Sequence, residues 1–261
     1  MSGALSLARR AGIVLALPAA LIALWWVTSA GSDSFYFPPL ATILHTFVTL
    51  WLSPDAIPNV VPSLIRFAVG YFAAGLIGIA VGIPVGASRK LRQTLEPVLE
   101  FLRAVPPPVL VPVLILFAGI GDEMKILVIV FGCVWPVLLN TVAGVRALDE
   151  VLEDVVRCYR IGRMARLWHF VLPGASPQIF TGLRQSLSVG IILMVVSEMF
   201  AASNGIGFAL VQYQRTFAIP EMWSGIILLG LIGIALSLVF RAAEAWLLAW
   251  YHGLRRTQRA N

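Results

Sequence analysis

The sequence predicts an all-α integral membrane protein with six transmembrane helices and both termini in the cytoplasm. Three observations carry this. Of 261 residues, 59% are hydrophobic and only 12% charged, with a mean hydropathy of +0.89; soluble domains carry about 25% charged residues. The apolar residues gather into runs near the about 20 residues that a helix needs to cross a bilayer. With six spans alternating from a cytoplasmic N-terminus, all 19 Lys and Arg fall on or near the inner side except Arg66, Lys125 and Arg215, as the positive-inside rule requires. The net charge of +6 therefore reports topology, and no nucleic-acid partner is expected. Cys133 and Cys158 lie far apart, one in a span and one in a loop, so no disulfide framework is implied.

The first span runs over about residues 11–28, preceded by Arg9 and Arg10 and ending near Trp25 and Trp26, residues that favour the membrane interface. A cleaved signal peptide ending at Thr28-Ser29-Ala30 competes with this reading, although the apolar run is long for one. Pro38-Pro39 breaks the chain, and 40–52 reads as an apolar helix too short to span, lying at the interface. The second span, about 63–86, carries Gly78, Gly82 and Gly86 four residues apart, one helix face on which a neighbouring backbone can approach.

The third span, about 95–120, is interrupted by Pro106-Pro107-Pro108. Such a break either lines a protein-enclosed cavity or lies at the interface. The fourth span covers about 124–145 and the fifth about 178–202. Asn204-Gly205-Ile206-Gly207 and a short amphipathic piece lead to the sixth, about 222–246. The expected organisation is an N-terminal transmembrane helix with an extracytoplasmic interfacial segment over 1–59, a core of five spans over 60–250, and a basic cytoplasmic tail over 251–261.

The segment between spans four and five, about 146–177, is unlike the rest. Asp149, Glu150, Glu153 and Asp154 come first, and Arg157, Arg160, Arg163 and Arg166 follow, the order that complements a helix dipole. Val151, Val155, Val156 and Tyr159 share a helix face. Gly162 reads as a break, and a second short helix would end at Leu172-Pro173. Two readings stay open here: a surface helix on anionic lipid, or a docking element for a soluble partner.

Several stretches resemble the permease subunits of ATP-binding-cassette (ABC) importers, in the branch serving nitrate, sulfonates, taurine and bicarbonate. They include Ser63-Leu64-Ile65-Arg66, Leu95-Glu96-Pro97, Arg103-Ala104-Val105-Pro106-Pro107, Asn140-Thr141-Val142-Ala143-Gly144 and Ser197-Glu198-Met199. That family carries Glu-Ala-Ala, a later Gly and then Leu-Pro in this loop. Counting back from Leu172-Pro173, these positions hold Asp154, Val155-Val156 and Arg160, with Gly162 two residues late. The resemblance implies the type I ABC importer permease fold in the inner membrane of a prokaryote, and a second permease copy. It further implies an extracytoplasmic solute-binding protein and separate ATPase subunits gripping the loop at Asp154, Val155, Val156, Tyr159, Arg160, Gly162, Leu172 and Pro173. The cargo would be a small anionic solute. Lys90 and Lys125 are followed by Leu91 and Ile126, so neither belongs to a phosphate-binding loop. No enzymatic activity is expected of this chain, and ATP and Mg would reside on the partner.

Among polar residues within spans, Glu198 stands out, because a carboxylate at membrane depth is costly to bury. It would line the pathway or pair with Arg103 or Arg184. The structural role is favoured, since the family carries Glu here whatever the cargo. Asn140 and Ser197 would pack by hydrogen bonding, and Arg103 would attract anions or snorkel to the interface. His45, His169 and His252 lack metal-ligand spacing, so no metal is expected. A proton-coupled secondary transporter using Glu198 is the rival class, but the charged loop has no place in it.

Overall fold

The computed structural model describes residues 2–200 and 202–251. From residue 252 on, the predicted basic tail lies outside the described residues. These contain no strand. The helices are α1 (Ser2–Ser29), α2 (Leu40–Trp51), α3 (Ile57–Ala87), α4 (Arg89–Ala104), α5 (Val111–Ala118), α6 (Asp122–Arg146), α7 (Glu150–Cys158), α8 (Arg163–Arg166), α9 (Leu172–Phe200), α10 (Ile206–Arg215) and α11 (Ile219–Leu247).

Four stretches are each long and apolar enough to cross a membrane: Pro54–Ala87, Asp122–Arg146, Arg163–Phe200 and Ile219–Leu247. They correspond to the predicted second, fourth, fifth and sixth spans. At the predicted third span, α4 and Pro107–Ala118 form a pair bent by 83°. The cause is local. Val105 is extended (φ −75°, ψ 119°), as a residue before proline must be, and three successive prolines remove three backbone donors. The apolar stretch Ala16–Ser29 of α1 covers the latter part of the predicted first span.

The chain forms two compact units. One comprises the chain up to Pro58 together with Ala209–Gly230. It is held by aromatic packing and a few polar ties. Trp25 and Trp223 lie 5.9 Å apart between ring centroids, Trp51 Nε1 donates to Ser224 Oγ at 2.9 Å, and Leu40 N donates to Ser29 Oγ at 3.1 Å.

The second unit comprises Asn59–Phe208 and the chain from Leu231 on. Its centre is α6, which packs against α3 and α9. The glycine ridge of α3 makes the first of these contacts possible. A Cβ built at Gly78 would come within 2.8 Å of Val137, at Gly82 within 2.7 Å of Thr141 and at Gly86 within 2.8 Å of Val145. No side chain fits there, so the two backbones meet directly, as small-residue stripes allow in membranes. At the end of α6 near Arg146, Val145, Val171, Ala175 and Ile179 form a buried cluster packed by Leu148, Leu167 and Leu172.

One expectation fails. Leu172-Pro173 does not end a short helix. The segment Leu167–Val171 is π-helical and runs without interruption into α9. A π turn widens the helix where proline would otherwise clash with the preceding turn, and such local adjustments let proline sit within a membrane helix. The loop's second helix and the fifth span are therefore one continuous stretch, Arg163–Phe200.

Candidate functional site

Two groups of side chains in the second unit carry chemistry, one at each end of α6. At 1.5 Å rise per residue, the 25 residues of α6 separate them by about 37 Å.

The first is the α7–α8 hairpin. Asp149 caps α7, its Oδ1 accepting from Val151 N at 2.8 Å and Leu152 N at 3.2 Å. This satisfies donors that a helix start leaves unpaired. Glu153 Oε1 accepts from Arg157 Nη2 at 2.9 Å and from Arg166 Nη2 at 2.7 Å, tying α7 to α8. The helix ends in a Schellman arrangement, with Arg160 N bonding Arg157 O at 3.0 Å and Ile161 N bonding Val156 O at 3.1 Å. The left-handed residue at this turn is Arg160, at φ 51°. Gly162, which the sequence suggested as the break, has an ordinary φ of −61° at the start of α8. The reversal thus falls where the family pattern places its glycine, and here an arginine adopts the conformation that glycine would adopt without strain.

The apolar face of α7 is divided. Val156 is buried against the rest of the chain, whereas Val151, Leu152, Val155 and Tyr159 are exposed, Tyr159 by 79%. Beyond the turn, Met164 and Trp168 are exposed as well. Asp154, Arg160 and Gly162 lie on the exposed surface, while Leu172 and Pro173 are half-buried at the base. The hairpin therefore shows an apolar strip rimmed by arginines, rooted in the Val145–Val171 cluster.

The second group surrounds Glu198, which is 1% exposed. Its carboxylate accepts from Arg66 Nη1 at 2.8 Å, Ser63 Oγ at 2.7 Å and Gly207 N at 3.0 Å. Ser63 Oγ in turn accepts from Ile206 N at 2.9 Å. Arg66 also donates from Nε to Asp122 Oδ1 at 2.8 Å, from Nη1 to the Asn204 carbonyl at 3.2 Å and from Nη2 to Asn204 Oδ1 at 2.5 Å. Lys125 Nζ donates to Gly121 O at 3.0 Å and lies 3.9 Å from Asp122 Oδ1. The loop 204–207 is thereby stitched to α3 and α6 by a network with every carboxylate in it paired.

Neither cation considered for Glu198 from the sequence stands beside it. Arg103 pairs with Glu100 on its own helix, and Arg184 pairs with Glu244. Arg66 was the residue missed. Its signal is local: Ser63 and Arg66 are three apart and so share a helix face. Asn140 Nδ2 donates to Pro136 O at 2.8 Å and Gln185 Oε1 at 3.2 Å, and buried Ser197 Oγ donates to Met194 O at 2.9 Å. Both hold helices. Among the described residues, no group of His, Cys, Asp and Glu could hold a metal ion.

Comparison with known proteins identifies the family. Residues 74–251 match the family described as binding-protein-dependent transport system inner membrane component. The taurine transport system permease protein TauC of Escherichia coli K12 is 31% identical over 252 residues, covering 94% of this chain and 92% of its own. The putative aliphatic sulfonates transport permease protein SsuC of Bacillus subtilis is 32% identical over 238 residues, covering 90% and 86%. The nitrate import permease protein NrtB of a Synechocystis strain is 28% identical over 228 residues, covering 84% and 82%. An inward-facing structure of the MetNI methionine ABC transporter superposes with a TM-score of 0.56 at 18% identity, over 76% of this chain and 98% of the matched chain; it bears on the fold alone.

Proposed function

The chain belongs to the family of inner membrane components of binding-protein-dependent transport systems, and from that premise we propose that it forms the translocation pathway of an ATP-driven importer for a small anionic solute. Taurine, aliphatic sulfonates and nitrate are the solutes named for its relatives, and a sulfonate or nitrate-like anion is the cargo class proposed here. Two copies would enclose the pathway. A solute-binding protein would deliver cargo from outside, and ATP with Mg would be bound by two separate ATPase subunits. The loop and both termini would then face the cytoplasm.

The observation that carries this reading is the exposed strip Val151, Leu152, Val155 and Tyr159 on a capped, ion-paired hairpin. A bare apolar strip on a short, rigid helix suits a groove in a partner. ATP-driven closure of the ATPases would draw the two hairpins together and switch the pathway by rigid-body motion. Glu198 would hold the 204–207 loop in place. Its buried carboxylate is paired with Arg66 and hydrogen-bonded on both oxygens, which suits a fixed tie better than a proton carrier.

Uptake by proteoliposomes holding the permease, the ATPase and the binding protein tests the reading. The expected result is uptake that requires internal ATP and is unchanged when the proton gradient is collapsed. Uptake driven by the gradient without ATP would replace this reading with proton coupling at Glu198.

A further inference from the structure

Beside the hairpin lies a cavity of about 500 Å³ among the ends of α3, α4 and α6 and the α7–α8 hairpin. Its size falls within the about 300–1,000 Å³ of ordinary ligand sites. Five arginines line it, Arg89, Arg92, Arg146, Arg163 and Arg166, against two glutamates, Glu150 and Glu153. Glu153 is already engaged by Arg157 and Arg166. The side chains of Arg89, Arg92, Arg146 and Arg163 make no hydrogen bond or ion pair among the described residues. Arg166 Nε is buried and has no partner. The inner wall is apolar, with Ile83, Val145 and Leu148 among its residues.

Positive-inside charge alone accounts for arginines facing water. It does not account for five of them converging from α4, α6 and α8 on one concave space, where like charges repel. An anion relieves that repulsion. Guanidinium forks match the oxygens of a phosphate group in pairs. Arg92 and Arg146 also line a second cavity of about 180 Å³ together with Glu96 and Glu100, where Glu100 is paired with Arg103 and neither arginine is bonded to either carboxylate.

We propose that this arginine-lined cavity binds a phosphate group, carried by an anionic phospholipid headgroup or by a free phosphate anion, and that the bound group bridges α4, α6 and the α7–α8 hairpin. The apolar wall behind the arginines suits a lipid tail, and the open mouth admits a free anion; the two sources share one chemistry at the arginines. An occupied cavity would neutralise the repulsion and stiffen the hairpin against the bundle. This goes beyond the transport reading and does not depend on which cargo is carried.

The test uses the full-length permease in nanodiscs. In discs of phosphatidylcholine, inorganic phosphate is titrated by calorimetry. In discs containing phosphatidylglycerol, lipids retained by the protein are counted by native mass spectrometry. Each is repeated with Arg92→Gln, Arg163→Gln and, as a charge-retaining control, Arg92→Lys, all first checked for an unchanged melting temperature. Saturable phosphate binding that weakens about tenfold or more in the Gln variants, with less loss in the Lys variant, supports the proposal with a free anion as source. Retained phosphatidylglycerol that disappears in the Gln variants supports it with a headgroup as source. Absence of both signals in the unmodified protein, or signals equal in all variants, overturns it. So does protection of these arginines from guanidinium-modifying reagents only when a protein partner is bound, which would make the cavity a protein contact.

Discussion

Arg66 and Glu198, 132 residues apart in sequence, meet through a 2.8 Å hydrogen bond between Nη1 and Oε1 with both side chains buried. Arg66 is the cation paired with Glu198, whereas Arg66 itself is also paired with Asp122 at 2.7 Å. Breaking such a pair by removing one member costs about 3–5 kcal/mol, because the other is left uncompensated. Arg66→Ala, which strands Glu198, should lower the melting temperature of the purified permease sharply; Glu198→Ala should lower it too, by less, because Arg66 keeps Asp122. Glu198→Gln keeps oxygen and shape and should lower it less still. If Glu198→Ala melts like the unmodified protein, the pair is not a structural tie.

Arg160 adopts a left-handed backbone at φ 51°, which costs a residue with a Cβ about 1–2 kcal/mol. Arg160→Gly relieves this but frees the unfolded chain, for a net gain of about 0.5–1 kcal/mol. Hydrogen exchange at the amides of Arg160 and Ile161 should slow. Arg160→Val, with a β-branched side chain in that region, should speed it.

The two valines of the hairpin should behave differently. Val155 is exposed and Val156 is buried. Val155→Asp or Tyr159→Asp should release the ATPase subunits on purification while the permease keeps its melting temperature. Val156→Asp should instead destabilise the permease itself, since it buries an unpaired charge. Undiminished co-purification with both exposed-face variants would remove the docking assignment.

A Cβ at Gly82 would lie 2.7 Å from the Thr141 Cβ and 3.1 Å from the Leu138 carbonyl. Backbone cannot yield there as a flexible side chain could. Gly82→Leu should separate α3 from α6 and abolish a folded, monodisperse permease, with Gly82→Ala intermediate at about 1–3 kcal/mol. Size-exclusion profiles and melting curves check this. Gly162→Ala is the matched control, since nothing lies within 4 Å of a Cβ there.

Much of this architecture was legible before any coordinates. The apolar runs placed α3, α6, α9 and α11, and the Gly78–Gly82–Gly86 spacing marked the face of α3 that packs on α6, because both signals are local and periodic. The proline run marked the bend between α4 and α5 for the same reason. What escaped was non-local. Arg66 reaches Glu198 only through folding, and helical spacing says nothing about which faces meet. Leu172-Pro173 looked like a stop because proline usually ends a helix; the π turn that accommodates it leaves no mark in composition. The division of the α7 face into buried Val156 and exposed Val155 depends on how the hairpin sits on its own unit. The arginine cavity was visible only as a scattered excess of charge.

The central claim is that the hairpin is gripped by a separate ATP-hydrolysing subunit, and the chain carries its own probe for it. It has two cysteines; Cys133 is buried and Cys158 is exposed at the end of α7, next to Tyr159. A photoactivatable maleimide attached to Cys158 in inside-out membrane vesicles of the intact transporter should cross-link the permease to the ATPase subunit. A reagent that reaches Cys158 only from the extracytoplasmic side, or one that cross-links to lipid and never to the ATPase, would contradict the account.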